Sequence, residues 1–376
     1  MEKELTRIRR EFHSHPELSE QEFETQNHIN EVLEEFGVTN FEAIGGTGVL
    51  VQFDFGSESP HVLIRADIDA LPLDEGVERE HGSLNDGVSH KCGHDGHLTI
   101  LLGLAKKLVD EPLTSGRVSL VFQPAEETGT GARKVIEDPV FESIKPDLVF
   151  ALHNLPGFEK RQILVREGTF TAAATSLVFK LHGETSHAGE PEKGVNPALT
   201  IAHILTEADR LSNNQIDSED FTLVTPVYAT LGEIAYGVSA GYGEVHLTLR
   251  AWNNEKMERL KEKVNKVVDQ CCEGMNLGIE KECVETFHAN MNSPEAVEII
   301  RKATKENNFK LEEMKYPFKW GEDFGLFTEK FSGAIFGFGV GVDNPPLHHP
   351  EYDFPDDVLV DGVNMFYSIV QLATAK

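Results

Sequence analysis

The sequence predicts an α/β protein built on a mostly parallel sheet, with a smaller α+β domain inserted into it. Three observations carry this. Strands and helices alternate through the first part of the chain. Several of those strands are nearly continuous apolar runs, the pattern of strands covered on both faces. Near Ala172 the strands change to apolar–polar alternation, the pattern of a sheet with one wet face, and the buried, glycine-rich style returns from Asn290 onward.

Residues 2–12 and 22–36 carry apolar positions at three- and four-residue spacing and read as helices. Gly45, Gly46 and Gly48 open a strand, GVLVQFDF. HVLIRAD follows from His61 to Asp67, RVSLVFQ ends just before Pro124, and DLVFALH ends at His153. Between them, HLTILLGLAKKL at 97–108 forms a helix. After Ala172 come SLVFKLHG, a helix from Val195 to Leu211, EVHLTLRAW, and a helix from Glu255 to Cys272. GAIFGFGVG is again a covered strand, and a last helix spans Asp356 to Ala373. The expected division is 1–173 with 286–376 for the larger domain and 174–285 for the inserted one.

The chain has 376 residues, more than one hydrophobic core usually organises. Its 63 Asp and Glu against 34 Lys and Arg leave a net charge of −29, which repels nucleic acid and anionic membrane. No apolar run is long enough to cross a bilayer, and Met1 to Glu11 lacks the apolar core of a signal peptide. Cys92, neighbouring Cys271 and Cys272, and Cys283 do not suggest a disulfide framework, so a reducing cytoplasm is the expected location.

The residues that carry chemistry fall at the C-terminal ends of the predicted covered strands, the edge where open α/β sheets bind ligands. Asp67 and Asp69 end one strand in LIRADIDA. HKCGHDGH follows a loop and begins a helix. Glu126 and Glu127 follow another strand in FQPAEETG, His153 stands in ALHNLP, and His348 and His349 in PPLHHPEYDF. Thiolate, imidazole and carboxylate are the donors for zinc or a similar borderline transition metal. Two residues apart in an extended loop, Cys92 and His94 fall on one side and can reach one ion. A lone histidine such as His182 or His246 is more often structural; five polar clusters on one predicted edge shift the balance. A closed structural zinc wants four ligands and no spare acid, whereas this set adds Glu126 and Asp69. Neighbouring strand residues point to opposite faces, so Glu126 and Glu127 share a site only where the strand has ended, as Pro124 suggests. One glutamate can then bind metal while the other holds the attacking water.

With these blocks in view, the chain resembles the metallo-amidohydrolase family of aminoacylases, hippurate hydrolases, indoleacetyl-amino-acid hydrolases and N-acetyldiaminopimelate deacetylases. RREFHSHPELSEQEFET, RADIDALPL, HKCGHDGHLTILLGLAKKL, FQPAEETGTGA, ALHNLPG, GEDF and LHHPEYDF follow in the family's order, covering nearly the whole chain. The resemblance implies a zinc-peptidase-like catalytic domain interrupted by a lid that commonly mediates dimers. It makes Cys92, His94, Glu127, His153 and His348 metal ligands, with His349 as the open alternative to His348. One or two divalent ions, Zn, Mn, Co or Ni, would serve as cofactor. Glu126 becomes the general base, Asp69 an acid supporting the metal site, and His187 the lid histidine that stabilises the oxyanion. Arg250, ending EVHLTLR, is a candidate for a substrate carboxylate.

Two stretches depart from the family pattern. Gly237, in GVSAG, stands where relatives carry Asn, and Glu190-Pro191-Glu192 replaces Met-Pro-His. Both lie where substrate is recognised and leave the acyl group and amino acid undetermined; Glu190 and Glu192 suit either a cationic substrate or a solvated loop. The leading expectation is hydrolysis of N-acyl, chiefly N-acetyl, amino acids by a homodimer. The alternatives are a metallo-carboxypeptidase or dipeptidase on the same scaffold, and a non-catalytic ligand-binding homologue, against which Asp69, Glu126 and His187 argue.

Overall fold

The computed structural model describes residues 1–56 and 60–375. The described residues divide into two compact units. One takes in Met1–Phe170, Asn290–Lys315 and most of the chain beyond Asp323; the other takes in Thr171–Ala289 and Tyr316–Glu322.

In the first unit the strands order as Phe41–Ile44, Gly48–Asp54, Arg117–Gln123, His61–Asp67, Leu148–Pro156, Ser332–Gly341, Gln162–Val165 and Lys310–Glu313. His61–Asp67 runs parallel to both neighbours, and so does Leu148–Pro156. Antiparallel pairs lie toward the sides. The fold is therefore α/β with a mostly parallel central sheet. All seven residues of His61–Asp67 are buried, as its unbroken apolar run requires. Helices Glu2–Ser14, His94–Asp110, Pro294–Glu306 and Leu359–Thr374 supply the covering layers, and their apolar stripes join the strands in one core around Ile64, Leu101, Leu120, Phe150, Phe336 and Phe366.

In the second unit an antiparallel sheet orders as Thr222–Leu231, Tyr242–Ala251, Ala173–His182, Gly278–Phe287. Burial alternates residue by residue along Tyr242–Ala251. Leu177, Phe179, Val245, Leu247 and Leu249 pack with residues of helices Ala198–Asp209 and Asn254–Cys272, including Ile204, Leu260 and Val264. This is the sheet with one covered face that the alternation predicts.

Some boundaries differ from expectation for definable reasons. The strand expected to end at His153 continues to Pro156, because Ser332–Gly341 keeps pairing with it through Asn154 and Leu155. The helix expected from Val195 starts at Ala198: Val195 bridges to Glu184, and Asn196 Oδ1 accepts the Ala198 N–H at 2.8 Å. Thr222–Leu231 contains Pro226 and lies at an edge, where a proline is tolerated. Tyr316–Glu322 joins the second unit from far along the chain: the Ala172 N–H donates to the Phe318 carbonyl at 3.0 Å, and Arg250 Nη1 to the Lys319 carbonyl at 2.7 Å. Among the described residues no helix is long and apolar enough to cross a membrane.

Candidate metal centre

The first unit gathers Cys92, His94, Glu126, Glu127, His153 and His348. Ligand atoms of Cys92, His94 and His153 lie within 4.8 Å of one another, as do those of Cys92, Glu127 and His348, and those of His94, Glu126 and Glu127. The chain must turn sharply to present Cys92 and His94 together, and Gly93 between them supplies the turn with φ of +93°. A Cβ there would stand 2.5 Å from Asn154 Nδ2, so glycine is required on space as well as on backbone angle. The two glutamates meet because the strand stops at Gln123. Pro124 follows, then Ala125 takes φ of +52°, a strained conformation held by its N–H bond to buried Glu22 at 2.8 Å.

The two buried histidines of this group, His94 and His153, each have one nitrogen occupied by a backbone carbonyl, which aims the other inward. His94 Nδ1 donates to the Asp69 carbonyl at 2.9 Å, leaving Nε2 at 3.9 Å from Glu127 Oε1. His153 Nδ1 donates to the Asn154 carbonyl at 2.9 Å, leaving Nε2 at 3.7 Å from Cys92 Sγ. His348 is the exposed member of the group; its φ is +63° and its Nε2 lies 3.9 Å from Glu127 Oε1. The neighbouring His349 turns its Nδ1 to the N–H of Glu351 at 3.2 Å.

The electrostatics suit a cation. Burial, with Glu127, Glu126 and Asp67 nearby, holds the Cys92 thiol far above its ordinary range, so a thiolate there needs positive charge beside it. Burial pushes Glu127 up to about 7 despite the pull of His94. Burial disfavours the His94 cation, yet Asp67 and Asp69 outweigh it and raise the group to about 10. Burial and the repulsion of His97 lower His153 to about 3, which keeps it a neutral donor. His94 Nε2 and Glu127 Oε1 are buried without a hydrogen-bond partner. Buried polar atoms of this kind, in a soft and hard donor set of net negative charge, fit divalent metal.

Acids and amides around the donors hold them in place. Asp69 accepts from Ser19 Oγ at 2.7 Å and from the Glu127 N–H at 3.0 Å. Asp67, recognised only as a strand end, bonds His97 at 2.6 Å, and His97 bonds Asn154 Oδ1 at 2.6 Å. Asn154 Nδ2 in turn donates to the Tyr352 hydroxyl. Arg65 links Asp67 to Asp323, each at 2.6 Å, and the Asp323 N–H reaches Glu126 Oε1 at 3.4 Å. His97 had a signal, one helical turn beyond His94, and Asp323 lies in the GEDF block. A further clustering of His13, His81 and Asp353 already holds a cation, since Arg9 bonds Asp353 at 2.6 Å and His81 at 3.2 Å.

The second unit carries His187 and Arg250. His187 is exposed and pairs with Val238 in a two-residue ladder; its Nδ1 accepts the Gly189 N–H at 3.0 Å. That bond puts the neutral ring's proton on Nε2. The Gly237 carbonyl accepts the Ala188 N–H at 2.9 Å, and Glu190 pairs with Lys193 at 2.6 Å on the surface. Arg250 is half-buried.

The model of Peptidase family M20/M25/M40 matches residues 63–372. The chain is 31% identical over 375 residues to an uncharacterised hydrolase of Staphylococcus haemolyticus, covering 97% of each. It is 30% identical over 365 residues to the hippurate hydrolase of Campylobacter jejuni subsp. jejuni, covering 96% of this chain and 94% of that one. Its structure matches a dinuclear metal-binding peptidase of the M20 family from Bacillus subtilis with a TM-score of 0.82 and 26% identity, covering 100% and 99% of the two chains. The chain belongs to peptidase family M20/M25/M40 and is a metal-dependent hydrolase whose cofactor is divalent metal.

Proposed function

We propose that the enzyme hydrolyses the amide bond of N-acyl amino acids. The observation that carries this reading is the full-length similarity to a hippurate hydrolase, since hippurate is itself an N-acyl amino acid. On this reading Cys92, His94, Glu127, His153 and His348 hold one or two ions. When bound, the metal supplies Lewis acidity to the carbonyl and to water.

Glu126 takes the proton of the attacking water and delivers it to the amine nitrogen as the C–N bond breaks, giving a carboxylic acid and a free amine. Its place beside His94 and Glu127, within reach of the same centre, supports that role. Asp69 orients His94 and the Glu127 turn. His187 offers the Nε2 proton to the developing oxyanion, and its bond to Gly189 supports that tautomer. Arg250 meets the substrate carboxylate, its guanidinium oriented by the Lys319 carbonyl.

The second unit, Thr171–Ala289 with Tyr316–Glu322, acts as a lid that pairs two copies, the part expected of residues 174–285. Its edge strand Thr222–Leu231 exposes Val227, Tyr228 and Leu231, and Ile234 and Tyr236 beyond it are 92% and 96% exposed. An uncovered apolar edge of this kind favours a second copy of the chain.

The test is a screen of N-acetyl and N-benzoyl amino acids and of dipeptides, each with Zn, Mn, Co or Ni and with a chelator. Release of the acyl acid that stops on chelation and returns with metal is the expected result. Turnover of dipeptides alone would replace this reading by a dipeptidase. Full activity after verified metal removal would defeat it.

A further inference from the structure

The segment that carries His348 has neither helix nor strand from residue 342 to 355, and His348 itself takes a left-handed backbone conformation. Something outside that segment has to hold it. Side chains at Tyr352 and Asp353 are bonded by Asn154 and Arg9, while the backbone from His348 to Tyr352 is held by a second irregular stretch, residues 72–91, which also lacks helix and strand apart from one bridge at Ser89. The His348 N–H donates to the Lys91 carbonyl at 2.8 Å, and the Pro350 carbonyl accepts the Gly76 N–H at 3.0 Å. The Glu351 carbonyl accepts from Arg79 Nη2 at 2.8 Å, and the Tyr352 carbonyl from Lys91 Nζ at 2.9 Å. Backbone groups at 348, 350, 351 and 352 are thus all gripped by one stretch.

That stretch is organised around Glu75. One carboxylate oxygen takes the Lys91 ammonium, Arg79 Nη1 at 3.3 Å and His13 Nε2 at 3.4 Å, and the other accepts the Ser83 N–H at 2.8 Å. Lys91 is wholly buried, so its charge depends on Glu75 and on the Tyr352 carbonyl. Lys91 therefore holds the His348 segment twice, by its carbonyl and by its ammonium, and Glu75 holds Lys91. Cys92 directly follows Lys91, but His94 and His153 have anchors of their own: the start of a long helix and the Asp69 carbonyl for His94, a strand and the Asn154 carbonyl for His153.

We propose that the Glu75–Lys91 pair is a positioning element for His348, so that the ion held by Cys92, Glu127 and His348 depends on it and the ion held with His94 and His153 does not. This rests on the ligand assignment above. Glu75 and Lys91 are not among the proposed ligands; they act through the backbone of the His348 segment.

The experiment counts bound zinc by equilibrium dialysis and measures both dissociation constants by competition with a chromophoric chelator. It uses the full chain as wild type, Glu75→Gln, Lys91→Met, Arg79→Met and His348→Ala, each checked by circular dichroism. Arg79→Met removes a partly exposed grip and keeps the test alive if burial makes the Lys91 variant unfold. The expected result is one ion retained at wild-type affinity and the other weakened roughly ten- to a hundredfold, the range for residues that orient ligands. His348→Ala should give the same pattern. Both ions bound as tightly as in wild type in folded Glu75 and Lys91 variants, while His348→Ala loses one, would overturn the proposal. So would equal loss of both ions. A wild type that binds fewer than two ions would also overturn it, since the proposal needs two separable ions; if His348→Ala keeps both ions, it is the ligand assignment that fails.

Discussion

Oδ2 of Asp69 accepts the backbone N–H of Glu127 at 3.0 Å, so an acid just past one strand fixes the turn after another. The same residue lends its carbonyl to His94 Nδ1 at 2.9 Å. Asp69 thereby sets a carboxylate and an imidazole of the candidate metal centre at once. Asp69→Ala should lower metal affinity roughly ten- to a hundredfold while leaving the fold intact. A chelator-competition titration reads this directly, and unchanged affinity would remove Asp69 from the site.

Glu126 and Glu127 are neighbours to which the proposal gives different tasks. Glu126→Gln should keep metal and fold but lose on the order of a hundredfold or more in kcat. Glu127→Gln should instead reduce metal occupancy, which elemental analysis of the purified variants would show. The opposite pattern would exchange base and ligand.

His187 tests the role of the second unit. His187→Ala and Glu126→Gln should each be nearly inactive. If His187 serves the partner's centre, mixed dimers made by refolding the two together contain one complete site, and activity should return. Verified mixed dimers that stay inactive would place the histidine's work in its own subunit; an active His187→Ala would end the catalytic role.

His13 links stability to pH. Burial disfavours its cation, but Asp95 at 2.7 Å and Glu75 outweigh that and push it up to about 8 from 6.5. The charged form is therefore favoured by folding. Its contribution is complete below about 6.5 and lost as pH rises through about 8. A shift of this size is worth about 2 kcal/mol. The stability advantage of wild type over His13→Gln, read from urea unfolding, should shrink by that amount between about pH 6 and pH 9. An advantage that does not change with pH would show that His13 is not held as a cation.

The alternation of buried and exposed residues is a local signal, so apolar runs such as HVLIRAD and alternating ones such as EVHLTLRAW were legible as strands of two different sheets. Cys92 and His94 were legible as a pair from their spacing, but what brings them together is the left-handed turn at Gly93 before the helix that starts at His94, not an extended loop. The acids that follow strands at Asp67 and Gln123 were legible because a parallel sheet collects such ends on one edge, whereas His153 lies three residues before its strand ends and His348 in an irregular segment. What could not be read were relationships across long stretches of chain. The bond of His348 to the Lys91 carbonyl, the chain from Asp67 through His97 and Asn154 to Tyr352, and the capture of Tyr316–Glu322 by the second unit join residues far apart in sequence. Which nitrogen of His94 faces the metal centre depends on a carbonyl 25 residues away. Periodicity records only whether a position meets water or core; the direction of a side chain inside the core is set by the packing of segments that no local pattern connects.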